Sequence, residues 1–374
     1  MQNLAPSRLH SLVDRFSPAI KLDALPADAP SVVDLTAPTE AQALQTRERV
    51  GYLDVAKGIG IILVVIGHAI GGLNSAHLTS DRSFLELIFY SIYSFHMPLF
   101  FFISALFVER RIDQDASRFF LSNLTRIAFP YFIWGVVQLL AEYQAQNLLN
   151  HPLTVSLNDQ LMSILWTPPA QFWFLYALFF LHLVALIAFC IGGSMAFALA
   201  FVMIFAGCAA SPELQGLITD YASGTDILFY VLGACVGSSL LQWRGRIGRG
   251  YGLILIASLA FASLISVGWT RGIEPDMYAM LPAAIAGSVL VLLVSASDAL
   301  RGNRVLAYLG RRALAIYALH VLFVAGTRIA LVKGAHVSEV AIILPVIVVV
   351  GILAPLAIDR GARSLRLSAQ LGLP

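Results

Sequence analysis

The chain has 374 residues, of which 58% are hydrophobic and only 12% charged, with a formal net charge of +2 and a mean hydropathy of +0.79. A water-soluble domain carries about one quarter charged residues, so this chain cannot coat a water-exposed surface, and its small net charge gives no reason to expect a nucleic-acid partner. Apolar runs of roughly 20 residues recur from Gly58 onward, which marks a multi-pass helical membrane protein; alternating ten-residue segments of a membrane β-barrel are missing.

Residues 1–50 hold no apolar core long enough for a cleavable signal and are rich in Pro, Ala, Asp and Ser, so a mostly disordered cytoplasmic tail is expected. Candidate spans then follow at 55–73, 84–107, 119–140, 172–191, 193–210, 225–242, 250–269, 277–296, 312–331 and 338–358. The fold expectation is therefore all-α, with about ten transmembrane helices in one domain over 51–358 and a short tail over 359–374. The fourth and fifth spans meet at Gly192–Gly193, which predicts a hairpin.

Orientation follows from lysine and arginine. Arginines cluster at 47–49, 110–118, 244–249, 301–312 and 360–366, whereas the connection 141–170 contains neither Lys nor Arg. This asymmetry puts both termini in the cytoplasm. The 141–171 connection is amphiphilic and is expected to fold back on the outer mouth, with Trp166 and Trp173 near the outer interface. Cys190, Cys208 and Cys235 all lie in apolar runs with no metal-like spacing, so they read as buried small apolar residues, and no metal site is expected.

An ionisable group inside a bilayer costs about 2.5–3.5 kcal/mol on insertion scales, so each one needs a reason. Lys57, His68, His96, Arg126, His182 and His320 fall inside spans, with Asp54, Glu86 and Asp226 near span ends. Asp54 and Lys57 can pair at i,i+3, either as a plain interfacial anchor or as the mouth of an inward channel. Lys57 and His68 are eleven residues apart, about 16 Å along a helix and nearly on one face, and a neutral imidazole serves as a general base near pH 7. His96 adjoins Pro98, which breaks the helical ladder; it is either a structural histidine at a kink or part of a site. Arg126 is read as buried one to two turns inside the third span, where it needs an anion, a protein carboxylate or a ligand phosphate. Trp173 is either belt or pocket wall, Arg311 and Arg312 begin the ninth span two turns before His320, and His182 reads as structural.

The segments YLDVAKGIGIILVVIGH, FHMPLFFFIS, LTRIAFPY, FWFL and GRRALAIYALH, in that order, resemble the acyltransferase-3 family of integral-membrane O-acyltransferases, and within it the fucose O-acetyltransferase-like branch. The likeness spans about 50–358. The family motif of a basic residue, ten residues and a histidine falls on Lys57 and His68, which implies that His68 is essential for acyl transfer. The family arginine of the third span falls on Arg126; Asn123 stands where a second arginine is frequent. Ala105 and Ala313 replace a frequent Gly and Ser, and the final histidine falls on His320.

The resemblance implies acetyl-CoA as acyl donor, with no bound cofactor, and an extracytoplasmic or lipid-linked carbohydrate as acceptor. It implies a location in the bacterial inner membrane, and polysaccharide-assembly machinery as a candidate partner. Lys57, Arg126, Arg311 and Arg312 are then expected to hold the donor's phosphates. His68 either deprotonates the acceptor hydroxyl or carries the acetyl group, while His96 and His320 orient groups or relay protons. Asp54, Trp173 and Tyr317 are expected to help bind substrate. A transporter or flippase of a lipid-linked sugar is the alternative, because buried His and Arg with Pro-broken helices also mark transport paths.

Overall fold

The computed structural model describes residues 40–79, 83–148, 156–211, 213, 215–216, 222–242 and 250–373, without the side chains of 40–50 and 238–242. The expected tail falls almost wholly outside these residues, as do Arg82, Arg244, Arg246 and Arg249. The chain divides into two units, Met1–Gln45 and Thr46–Pro374; of the first, only 40–45 are described, as helix.

All regular structure among the described residues is helical. In chain order the α-helices are α1 Glu40–Ser75, α2 Phe84–Tyr93, α3 His96–Ala105, α4 Val108–Gln114, α5 Ala116–Asn123, α6 Phe129–Gln144, α7 Leu157–Ser163 and α8 Trp173–Ala210. They continue as α9 Gly224–Gln242, α10 Tyr251–Arg271, α11 Leu281–Ala296, α12 Arg304–Arg311, α13 Ala313–Ile329 and α14 Val340–Ser364. Eight helical stretches among the described residues are long and apolar enough to cross a membrane.

The expectation of ten divides the chain differently in two places. Ala170–Ala210 runs as one 41-residue stretch, interrupted at Gly192 (φ −156°, ψ 24°) and Gly193 (φ 61°, ψ −149°). Gly193 takes a conformation that a side chain would strain. The Phe189 and Phe197 rings stack 4.8 Å apart across this break, whereas eight residues of straight helix would separate them by about 12 Å. The chain therefore turns sharply where the paired glycines predict it. The second place is α9, whose shorter apolar part is Gly224–Gly237.

Pro98 explains the break between α2 and α3. Its ring excludes the carbonyl four residues back, that of Ser94, and it has no N–H to donate. The helix stops at Tyr93, Phe95 leaves helical geometry (φ −145°, ψ −17°), and a new helix begins at His96 with Pro98 in its first turn. That position tolerates proline.

α1 lies in the middle of the bundle, with Leu53, Val55, Ala56, Val65, Ala69, Ile70 and Leu73 fully buried. Its contact with α12 is backbone to backbone. A Cβ on Gly58 would sit 2.1 Å from the Leu306 carbonyl oxygen, and one on Gly310 1.8 Å from that of Asp54. Small residues let membrane helices approach this closely, and here the approach sets Lys57 beside Arg311.

The described end of the 141–171 connection packs back on α6 and the start of α8. Tyr131 donates to the Ile164 carbonyl (2.5 Å) and Tyr176 to that of Leu165 (3.3 Å). Past Ser364 the chain docks on α6 as well: Trp134 Nε1 donates to the Leu371 carbonyl (2.9 Å), and Leu373 is fully buried. The cysteines correct an expectation, since Cys190 and Cys235 are exposed and Cys208 is half-buried. Their helices are apolar on faces that meet lipid instead of protein, so an apolar run does not by itself mean burial inside the bundle.

Candidate active site

The site begins at the end of the bundle that carries Lys57. Asp54 Oδ1 lies 3.4 Å from Lys57 Nζ, and Asp54 Oδ2 lies 3.7 Å from Arg311 Nη1. The carboxylate thus holds two cations from two helices side by side. Lys57, Arg126 and Arg311 line one cavity of about 240 Å³ whose described lining includes no acidic residue. Asp54 therefore positions cations here and is not itself on the cavity wall.

Arg126 corrects the expectation of a buried arginine. It is exposed and makes no ion pair among the described residues. The cause is a π-helical turn, Leu124–Ala128, which interrupts the regular ladder and re-aims its side chains. Two residues past the turn stands Pro130, whose missing N–H frees the Arg126 carbonyl. Arg312 goes elsewhere: its Nε lies 3.7 Å from Asp359 Oδ2, and Arg363 contacts the same carboxylate. The structure does not bring Arg312 into the cavity that Arg311 lines.

Further into the bundle, residues from four helices converge. His68 on α1 and His320 on α13 have ring centroids 4.9 Å apart, edge to face. Tyr93 lies 6.5 Å from His68 and 4.9 Å from His96. His320 is fully buried, and its Nδ1 lies 2.8 Å from the Tyr317 carbonyl and 3.2 Å from that of Ile316. Carbonyls only accept, so Nδ1 carries the proton and the neutral ring keeps its lone pair on Nε2, which has no hydrogen-bond partner. His96 is fixed likewise by the Ile92 carbonyl, 2.8 Å from Nδ1. His68 is only half-buried and is the histidine that lines two open spaces.

That space consists of two more cavities. One, of about 460 Å³, is lined by His68, Tyr93, His96, Gln171, Trp173, Tyr317, Thr225 and Asp226. The other, of about 530 Å³, is lined by His68, Tyr93, Asn74, Ser75 and Arg328. Val64, Met97 and Tyr317 line both the cationic cavity and the first of these, while His68 and Tyr93 line both of the others. His68 thus sits where the spaces adjoin. Tyr317 is held by donation to the Gln171 carbonyl.

Tyr93, Gln171, Thr225, Asp226 and Arg328 belong to this region although sequence reasoning did not assign them to it. Asp226 and Arg328 were legible as charges at span ends; the others carry no signal until the helices pack. His182 lies apart, with Nδ1 3.0 Å from Asn123 Oδ1. The residue standing where the family often has a second arginine is thus engaged by a buried histidine.

The profile of the acyltransferase-3 family, an acyltransferase domain, matches residues 50–360. The chain belongs to this family. No curated protein and no solved structure matches it significantly. In this membrane acyltransferase the matched region contains every residue of the cationic cavity and both other cavities.

Proposed function

We propose that this acyltransferase is an O-acetyltransferase that moves acetyl from cytoplasmic acetyl-CoA to a hydroxyl of a cell-surface, secreted or lipid-linked carbohydrate. The observation that carries the reading is the adjacency of the acid-free cationic cavity of Lys57, Arg126 and Arg311 to the cavity lined by His68. A polyphosphorylated donor suits the first, because guanidinium and ammonium groups make charge-assisted bonds to phosphate. The pantetheine arm then runs past Val64, Met97 and Tyr317 toward His68. The acceptor hydroxyl oxygen attacks the thioester carbonyl as His68 takes the hydroxyl proton. The carbon–sulfur bond breaks, and the proton passes to the departing sulfur, giving an O-acetyl ester and free CoA thiol. The lone pair on His320 Nε2 and the 4.9 Å ring separation support a role for His320 in orienting His68. The likeness to the fucose O-acetyltransferase-like branch favours a sugar acceptor.

In this reading the two limbs of α8 and helix α9 cross separately, giving ten crossings of a bacterial inner membrane. Both termini are then cytoplasmic, as the arginine asymmetry favours. Deleting the gene leaves the surface glycan in place without its O-acetate, read by NMR of the isolated polysaccharide. Loss of the glycan itself would instead indicate the transporter reading. Lys57→Ala raises the KM for acetyl-CoA about tenfold, the loss of one charge-assisted contact, while Lys57→Arg retains most donor use. Equal acetyl-CoA dependence in both variants, measured in membranes with labelled donor, would remove Lys57 from phosphate binding.

A further inference from the structure

The cavity of about 460 Å³ is lined by polar residues other than its histidines. Three buried polar side-chain atoms from residues that line it have no hydrogen-bond partner: Asp226 Oδ1, Gln171 Oε1 and Thr225 Oγ1. Asp226, Gln171 and Thr225 are 4%, 3% and 4% exposed. Buried polar atoms left unpaired cost about 1–3 kcal/mol each, so three around one cavity call for a ligand that satisfies them.

The identity of these atoms constrains that ligand. Asp226 caps α9: its Oδ2 accepts from the Ser223 backbone N–H (3.2 Å) and hydroxyl (2.7 Å), which leaves Oδ1 over. Gln171 is oriented by a chain with fixed polarity. The Glu142 carboxylate accepts from Gln138 Nε2 (2.9 Å), and Gln138 Oε1 accepts from Gln171 Nε2 (2.6 Å). Gln171 therefore keeps an unpaired acceptor oxygen, beside the second N–H of its amide. Gln171 Oε1 is an obligate acceptor, Asp226 Oδ1 accepts when the carboxylate is ionised, and the third, a hydroxyl, can also accept. The described lining includes two carboxylates, Asp226 and Asp276, and no lysine or arginine, and Trp173 lines the same cavity. This is the reverse of the cationic cavity.

We propose that Asp226, Gln171 and Thr225 form the acceptor subsite, which binds a neutral, hydroxyl-rich ring through donated hydroxyl protons and rejects rings bearing carboxylate or phosphate. The proposal rests on the carbohydrate reading given above and adds to it the binding residues and the charge selectivity. The ligand's hydroxyls satisfy the orphaned acceptors, and its apolar face lies on Trp173. An anionic substituent would meet two carboxylates without a countercharge, in a setting of low dielectric.

The test uses the purified full-length protein in detergent, radiolabelled acetyl-CoA, and a panel of neutral p-nitrophenyl glycosides (gluco, galacto, manno and fuco) with the matching glucuronide and galacturonide. The wild type labels at least one neutral glycoside at least about tenfold more efficiently than either uronide. Asp226→Asn raises that glycoside's KM about tenfold, narrows the discrimination against uronides, and leaves the KM for acetyl-CoA within about twofold. Thr225→Val, which leaves the Ser223–Asp226 cap in place, raises the same glycoside KM without lowering the melting temperature. Equal labelling of uronides by the wild type, or an unchanged glycoside KM in both variants, overturns the subsite and leaves sugar acetylation standing. If no glycoside is labelled while acetyl-CoA is consumed, the carbohydrate reading fails and the subsite with it.

Discussion

His68→Ala reduces acyl transfer by about 10²–10⁴-fold, the range that a positioned proton-transfer group contributes, while the protein remains in the membrane at normal abundance. The separation of activity from folding follows from the geometry. His68 is half-buried and lines two cavities, so its removal widens space already present instead of opening a void in packed core. Its ring contacts are the edges of His320 and Tyr93, both held by other elements. His320 is the useful comparison. Fully buried and bonded to two backbone carbonyls, it acts through His68, so His320→Gln lowers kcat by less and leaves the KM for acetyl-CoA in place. Full product acetylation by His68→Ala, read from labelled donor in isolated membranes, would remove His68 from the chemistry.

Asp359→Ala destabilises the folded protein by about 3–5 kcal/mol, the cost of removing one partner from a buried ionic group. Asp359 is fully buried near the end of α14, where Arg363 one turn on and Arg312 at the α12–α13 junction share its carboxylate. Without it, two guanidinium groups face each other across a site that excludes water on the carboxylate side. Arg312 is also where the helix breaks, with φ −106° and ψ 11°, so the carboxylate ties that junction to α14. Arg311, the next residue back, reaches Asp54 and lines the cationic cavity. Asp359→Ala should therefore lower the melting temperature in detergent and weaken donor use together. Asp359→Asn keeps the shape and some hydrogen bonding and costs less. A melting temperature unchanged in Asp359→Ala would show that the two arginines find adequate solvation without the acid.

How much of this was legible in the sequence depends on how local each cause is. Pro98 stops a helix through its own ring and missing N–H, so the break beside His96 could be read from one residue. The turn at Gly192–Gly193 needs only residues without Cβ. Arg126 was legible as a charge in an apolar run, but its exposure was not, because the π-turn that re-aims it arises from the whole path between α5 and α6. Arg311 and Arg312 are adjacent in sequence and look equivalent; packing sends one to Asp54 and the other to Asp359. The cysteines show the same limit from the other side, since hydropathy does not distinguish lipid from protein interior.

The sequence alone determined that this is a helical membrane protein and, through the ordered motifs, which helices carry Lys57, His68, Arg126 and His320. Helix periodicity fixes both, because eleven residues always place Lys57 and His68 about 16 Å apart on one face. Only the tertiary structure decided what meets what. The Gly58 and Gly310 contacts bring Lys57 beside Arg311, the α1–α13 packing brings His68 to His320, and the Glu142–Gln138–Gln171 chain leaves the Gln171 oxygen unpaired in a residue that lines the same cavity as Asp226 and Thr225. Such contacts join residues tens to hundreds of positions apart, and neither composition nor spacing encodes which helical faces close on one another.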